Sequence, residues 1–305
     1  MSLPSNHLPD FDELWNYDRP VESEKAFLEV LEQIEAQPEA PPAYRLELLT
    51  QIARAKGLQR HFVDAQATLD RVQTELQELS QAATDRVIPY IRYLLERGRV
   101  FNSAGQPELA RPLFLDAWVS ATVANEDGYA VDAMHMLGII EPAEQGLEWN
   151  RKALALAQAS HDPRATRWQG SLYNNMGWTY HGAGNYQEAL TMFERAQAAW
   201  QSDGQLDLVP IARWSVARTL RSLGSVDEAL AKQMALKEEF DASGHSDGYV
   251  SEEIGECLWL LGREQEARPY FARAWSMLCE NIWLSESEPQ RLERLHALGM
   301  VGKGE

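Results

Sequence analysis

Residues 170–200 read GSLYNNMGWTYHGAGNYQEALTMFERAQAAW, and two helical periods are visible in them. Tyr173, Met176, Gly177 and Tyr180 recur at i, i+3, i+4 and i+7, the spacing of one face of an α-helix. Gly182 and Gly184 break that stripe. Asn185, with Glu188 three residues on, has the pattern of a capping box opening a second helix, whose apolar stripe is Ala189, Phe193 and Ala196. Small residues at Gly177 and Ala189 let the two helices cross closely, and Tyr173, Tyr180 and Phe193 fill the space around the crossing. The stretch predicts a helical hairpin.

Working outward, the hairpin returns on both sides. The small crossing residue of its second helix recurs as Ala65, Ala110, Gly146, Ala189, Ala229 and Ala267, spaced 45, 36, 43, 40 and 38 residues apart. Around Ala110 the pattern is Leu94, Gly98, Phe101, Phe114 and Ala117, with Pro107 placed to start the second helix. Around Ala267 it is Gly255, Leu258, Phe271 and Ala274. The Ala229 unit has Ala217 and Leu220 in place of Gly and Tyr, and Gln233 where an aromatic is expected; Ser225 and Glu228 cap its second helix. The Ala65 unit keeps Leu49, Ile52, Ala53, Phe62 and Leu69. In the Gly146 unit the turn contracts to Glu141 and Pro142, so its first helix, near 130–140, is short or shifted by a turn.

An aromatic at Tyr173, followed in register by Gly177, Tyr180, Ala189, Phe193 and Ala196, resembles the tetratricopeptide repeat. Units of that family run about 34 residues; the longer units here resemble the extended bacterial type and those of kinesin light chains. The resemblance covers residues 44–280. It implies an all-α superhelix, a solenoid of about six helical hairpins with terminal capping helices, and protein interaction as the default role. Each hairpin is too thin to bury its own apolar face, so the hairpins stack, with their first helices lining the concave side.

Three regions follow from this reading: an acidic N-terminal arm at 1–20, the repeat domain at 21–298 and a disordered tail at 299–305. The arm carries Phe11, Leu14, Trp15 and Tyr17, which either cover the open end of the first repeat or fold as an autoinhibitory segment into the protein's own groove. Phe27, Leu28, Leu31 and Ile34 predict a helix over 21–37, ended by the prolines of 38–43. A short terminal helix over 288–298, with Leu292, Leu295 and Leu298 on one side, suits a solvating cap.

Lys and Arg total 28 against 46 Asp and Glu, a net charge of −18, which repels nucleic-acid phosphate and anionic membrane. Cys257 and Cys279 form no disulfide framework, the N-terminus has no secretory pattern, and no run approaches a membrane span, so a cytoplasmic protein is expected. Seven histidines show no metal-binding spacing; His161 and His245 sit in polar turns. No phosphate-cradling, nucleotide-binding or nucleophile motif occurs. The expectation is a protein without catalytic residues, cofactor or metal.

The predicted groove carries more information. Asn174, Trp178 and His181 share a face beside the buried stripe, with Asn175 adjoining. Carrying that register along the repeats gives Trp214, Arg218 and Arg221 in one direction. In the other it gives Leu95, Arg99 and Asn102, then Thr50, Arg54 and Gly57. Arginines on the inner face of an acidic protein are open to two readings: they pair with Asp and Glu of neighbouring repeats, or they grip the carboxylates of a peptide whose backbone meets the Asn amides and whose apolar side chains meet the tryptophans. Glu252, Glu253 and Glu256, followed by Trp259, reverse the sign in the last unit and suit a ligand that is basic at one end, or a solvated face. Carboxylate-clamp modules of the family use Lys and Asn on this face; the Lys positions are not kept here, so binding of chaperone tails does not carry over.

The function expected is a scaffold binding a peptide or protein partner bearing carboxylates. The alternative is a sensory module for a small signal molecule or signal peptide. Oligomeric state is not fixed by the sequence.

Overall fold

The computed structural model describes residues 8–37, 40–79 and 84–300. They are helical, and their contacts divide the chain into two compact units, residues 1–168 and 169–305. The first contains α1 (Phe11–Leu14), α2 (Pro20–Glu35), α3 (Pro42–Leu58), α4 (Phe62–Glu78), a 3₁₀ turn (Thr84–Arg86), α5 (Val87–Ser103), α6 (Pro107–Ala124), α7 (Asp127–Ile140), α8 (Ala143–Ala159) and α9 (Pro163–Thr166). The second contains α10 (Gln169–Gly182), α11 (Tyr186–Ser202), α12 (Val209–Ser222), α13 (Val226–Ala242), α14 (Gly248–Leu260), α15 (Glu264–Leu278), α16 (Ile282–Ser287) and α17 (Pro289–Met300). Six hairpins result: α3/α4, α5/α6 and α7/α8 in one unit, α10/α11, α12/α13 and α14/α15 in the other.

One arrangement of side chains builds every hairpin. The crossing residues Ala65, Ala110, Gly146, Ala189, Ala229 and Ala267 are all buried. Four residues on, Leu69, Phe114, Asn150, Phe193, Gln233 and Phe271 occupy the space opposite the first helix, each buried. In three hairpins that space exists because the facing residue is glycine: a Cβ on Gly98, Gly177 or Gly255 would lie 2.5, 2.6 or 2.8 Å from the ring of Phe114, Phe193 or Phe271. Where the ring is replaced, a backbone oxygen takes its polar substitute. Asn150 Nδ2 donates to Gly146 O at 2.9 Å, and Gln233 Nε2 to Trp214 O at 3.3 Å.

The third hairpin shows how the register slips. Gly138, not a residue twelve before Gly146, faces Asn150, and a Cβ there would lie 2.6 Å from its amide. The link between α7 and α8 is thus one helical turn shorter than in the other hairpins, as the contracted Glu141–Pro142 turn predicts.

The turns differ from the expected capping boxes. Neither Asn185 nor Ser225 makes a side-chain cap. Gly184 and Gly224 take φ of +78° and +86°, and the next N–H folds back onto the preceding helix: Asn185 N to Tyr180 O and Ser225 N to Leu220 O, both at 2.9 Å. That bond consumes the N–H which Glu188 or Glu228 would have to reach, so a glycine-closed helix end replaces the box. Arg60 and Asn125 hold the same left-handed position without glycine, with φ of +65° and +57°.

Three further expectations are corrected. In α2 the buried stripe is Phe27, Val30, Leu31 and Ile34, while Leu28 is exposed. Thr50, Gly57 and Leu95 are buried between helices and offer no side chain to a groove. Gly299 and Met300 continue α17, whose close approach to α15 would put a Gly299 Cβ 2.6 Å from Ala272 N; residues 301–305 lie outside the described residues. No helix among the described residues is long and apolar enough to cross a membrane.

Candidate functional site

In the unit of residues 169–305 the first helices α10, α12 and α14 present one polar and aromatic face. Trp178, Trp214 and Tyr249 follow one another across it, with centroids 5.6 and 5.9 Å apart. The Trp214 indole donates to Tyr249 O at 3.1 Å. The Arg218 guanidinium lies 5.9 Å from the Trp178 ring and 5.6 Å from the Trp214 ring. His181 packs on Trp178 at 5.3 Å and sits 3.0 Å from Ser222 Oγ; burial, with Arg218 nearby, lowers its pKa, which favours the neutral ring. Trp259 turns away onto Phe271 at 6.2 Å.

The charges on this face are met from within the protein. Arg218 pairs with Glu253, and Arg221 holds the same carboxylate through Nε at 2.7 Å and Nη2 at 2.9 Å. Glu253 is itself 1% exposed. Glu252 is gripped bidentately by Arg291 of α17, at 2.8 and 2.6 Å, and Glu256 by Arg294 of the same helix. The acidic end predicted for the groove is therefore neutralised by the terminal helix, and the basic ligand end it would have suited has no free carboxylates to meet.

Two guanidiniums nevertheless share one carboxylate at Glu253, and three polar atoms of this face are shut from solvent without a hydrogen-bond partner: Asn174 Oδ1, Asn175 Nδ2 and Arg218 Nε.

The unit of residues 1–168 repeats the arrangement with different chemistry. Arg54 on α3 reaches Glu96 on α5 at 3.5 Å, and Arg99 reaches Glu96 at 2.7 Å and Asp132 on α7. Arg92 pairs with Glu47 at 2.9 Å. Burial alone would lower the Arg99 pKa, but Asp132 and Glu96 outweigh it and hold the guanidinium above its ordinary range. Arg54, Arg99 and Asn102 line a pocket of about 150 Å³ with Leu58, Ser103 and Met136. His135 packs tilted against Trp168 at 4.7 Å, and burial pushes its pKa down to about 4.

The N-terminal arm lies on this face. Phe11 is buried against Tyr44, with centroids 4.8 Å apart, and Trp15 and Tyr17 lie under Arg54 at 5.5 and 5.3 Å.

Among the pairing residues of these faces, the groove reading includes Glu253 but does not supply Glu96, Asp132, Arg291 or Arg294. Glu96 and Glu253 carried a signal. Arg54 and Arg218 each follow a small crossing residue, Ala53 or Ala217, and each pairs with a Glu two residues before the crossing glycine of the next hairpin, Gly98 or Gly255. Asp132 and the α17 arginines break that rule and depend on the shifted α7 register and on where α17 docks.

Residues 135–202 match a family model described as tetratricopeptide repeat. No curated protein is similar enough in sequence to match the chain. Several solved structures share the fold. A signal transduction ATPase with numerous domains, bearing a tetratricopeptide repeat sensor, from Pyrococcus horikoshii superposes with a TM-score of 0.66 at 13% identity, over 92% of this chain and 43% of that one. This chain thus spans under half the length of that protein. The apo form of RapI gives 0.66 at 12% identity, over 94% and 84%. NprR in complex with its cognate peptide NprX gives 0.57 at 16%, over 94% and 81%. At these identities the likeness carries the fold alone, and with the matched segment it makes this chain a helical-repeat protein of tetratricopeptide type.

Proposed function

We propose that this protein is a non-catalytic binding scaffold, and that a peptide segment of its partner seats on the first-helix face of residues 169–305. The carrying observation is the set of buried, unpartnered atoms Asn174 Oδ1, Asn175 Nδ2 and Arg218 Nε. A buried amide atom without a partner costs about 1–3 kcal/mol; Asn174 and Asn175 are half-buried as residues, so turning either amide toward the face lets a ligand supply the partner and relieve that cost. A peptide unit brings both a donor for Asn174 Oδ1 and an acceptor for Asn175 Nδ2. A carboxylate suits the spare donor capacity of Arg218 and Arg221, whose two charges face the single Glu253. The half-buried Trp178 and Trp214 give apolar side chains a surface between those points.

The test is capture of partners from the native host by the full chain, with mass spectrometry, followed by affinity measurement on the recovered segment. Asn174→Ala and Asn175→Ala are expected to weaken binding at least tenfold while leaving helicity unchanged and Tm no lower, because each also removes an unpartnered atom; full retention by both variants would remove this face as the site.

A sensory role is the second reading, and the peptide held by NprR, a protein of the same fold, favours it. Thermal shift of the chain alone against a panel of small metabolites and short peptides separates the two, because a sensor is stabilised by its signal without a protein partner.

A further inference from the structure

Residues 8–15 behave in this structure as a ligand already in place. Phe11 fills a cradle made by Tyr44 of α3 and the Arg92 guanidinium of α5, 5.1 Å from its ring. Tyr44 Oη donates to the main-chain oxygen of Pro9 at 2.7 Å. Burial, with Asp10 and Glu47 nearby, pushes the Tyr44 pKa up to about 12, which keeps the phenol a donor. Four residues after Phe11, the Trp15 indole donates to Gln51 Oε1 at 3.0 Å and packs edge-on against Phe27 at 5.1 Å. Asp12 meets Arg167 at 3.4 Å. The receiving residues Tyr44, Gln51 and Arg54 stand at i, i+7 and i+10 on α3, one face of the helix.

The segment is held by its contacts with α3 and α5 and not by structure of its own. α1 is a single turn of four residues and cannot persist by itself in water. The Asp12–Arg167 pair is exposed on both sides, and pairs of that kind add little. By contrast Asn16 is stapled to the start of α2: its N–H donates to Ser23 Oγ at 2.7 Å, its carbonyl accepts from the same hydroxyl at 3.1 Å, and its side chain accepts from Arg19 N at 3.2 Å. Residues N-terminal of Asn16 can therefore leave while α2 keeps its N-terminal anchor, at the cost of the Trp15 contact with Phe27.

We infer that the first-helix face of residues 1–168 is a recognition surface for an acidic peptide with two aromatic anchors four residues apart, and that residues 8–15 occupy it in cis until such a segment of a partner displaces them. The ligand chemistry is read from the occupant: a Phe for the Tyr44–Arg92 cradle, a Trp for Gln51 and Arg54, and carboxylates at and between them for the arginines around the face.

The probe is a fluorescent peptide with the sequence of residues 8–19. The full chain is expected to bind it weakly, and the full chain carrying Phe11→Ala and Trp15→Ala at least tenfold more tightly. Adding Gln51→Ala to that variant should lose most of the gain, while adding Asn174→Ala should not, which separates this surface from the one proposed above. Equal affinity of wild type and the arm variant, or no binding to an arm variant with wild-type circular dichroism, overturns the inference. Hydrogen exchange on the wild-type chain tests it without any substitution: saturating peptide should speed exchange in residues 8–15, and unchanged protection there overturns it as well.

Discussion

Gly98, Gly177 and Gly255 each leave room for a phenylalanine sixteen residues further along, and that contact recurs in three hairpins. Phe193 is fully buried, so its ring cannot swing into solvent to relieve a new methyl group. Gly177→Ala gains the helix propensity of alanine, about 1 kcal/mol, and pays for it in overpacking of about 1–3 kcal/mol. A net loss of stability is expected by urea denaturation. Gly182, on the same helix, has nothing within 4 Å of where an added Cβ would stand, so Gly182→Ala should be neutral or stabilising. If the two variants behave alike, the ring contact does not set the crossing. These glycines and rings are legible in the sequence because helical period and residue size dictate them within one hairpin. Glu96 and Glu253 are legible as arginine partners only when successive hairpins are aligned, because the pairs join side chains 42 and 35 residues apart, which no single hairpin's period contains.

At the scale of the element, α17 does more than shield the last hairpin. Leu292 and Leu295 are buried, while Arg291 and Arg294 reach across to α14. Glu252 is 7% exposed in its side chain and Arg291 is 23%, so removal of the arginine leaves a largely buried carboxylate with no counter-ion. Breaking a fully buried pair costs about 3–5 kcal/mol; solvent access at Arg291 reduces that, and Arg291→Ala should lose about 2 kcal/mol by urea denaturation. The double variant Arg291→Met with Glu252→Met should recover most of it. Arg19→Ala, which breaks a pair 69% and 57% exposed, should change stability by under about 0.5 kcal/mol. An Arg291→Ala variant as stable as Arg19→Ala would show that α17 is held by its leucines alone. The existence and apolar side of this helix follow from its leucine spacing. Its clamp does not, because the offset between α17 and α14 is set by packing through α15, where Gly299 meets Ala272.

The arginines on the first-helix faces and the charge of −18 are two sides of one distribution. The structure pairs Arg54, Arg99, Arg218 and Arg221 with carboxylates on the first helix of the next hairpin, which accounts for basic residues recurring at these positions of an acidic chain. The excess of acidic groups is then left to repel itself across the rest of the surface. Salt acts on these two populations differently. The Debye length falls from about 30 Å at 0.01 M to about 8 Å at 0.15 M, which screens repulsion between distant exposed carboxylates but weakens half-buried pairs in contact much less. Stability should therefore rise with sodium chloride over that range, seen as an increase of Tm in thermal circular dichroism. A Tm that falls would mean that exposed pairs such as Arg263–Glu266, 46% and 59% exposed, carry more of the fold than the paired faces do. Substituting Glu253→Gln supplies the internal comparison: it removes the carboxylate that two arginines share, so it should lower Tm at every salt concentration and leave the slope against salt unchanged, because the loss is local and the slope belongs to the surface as a whole.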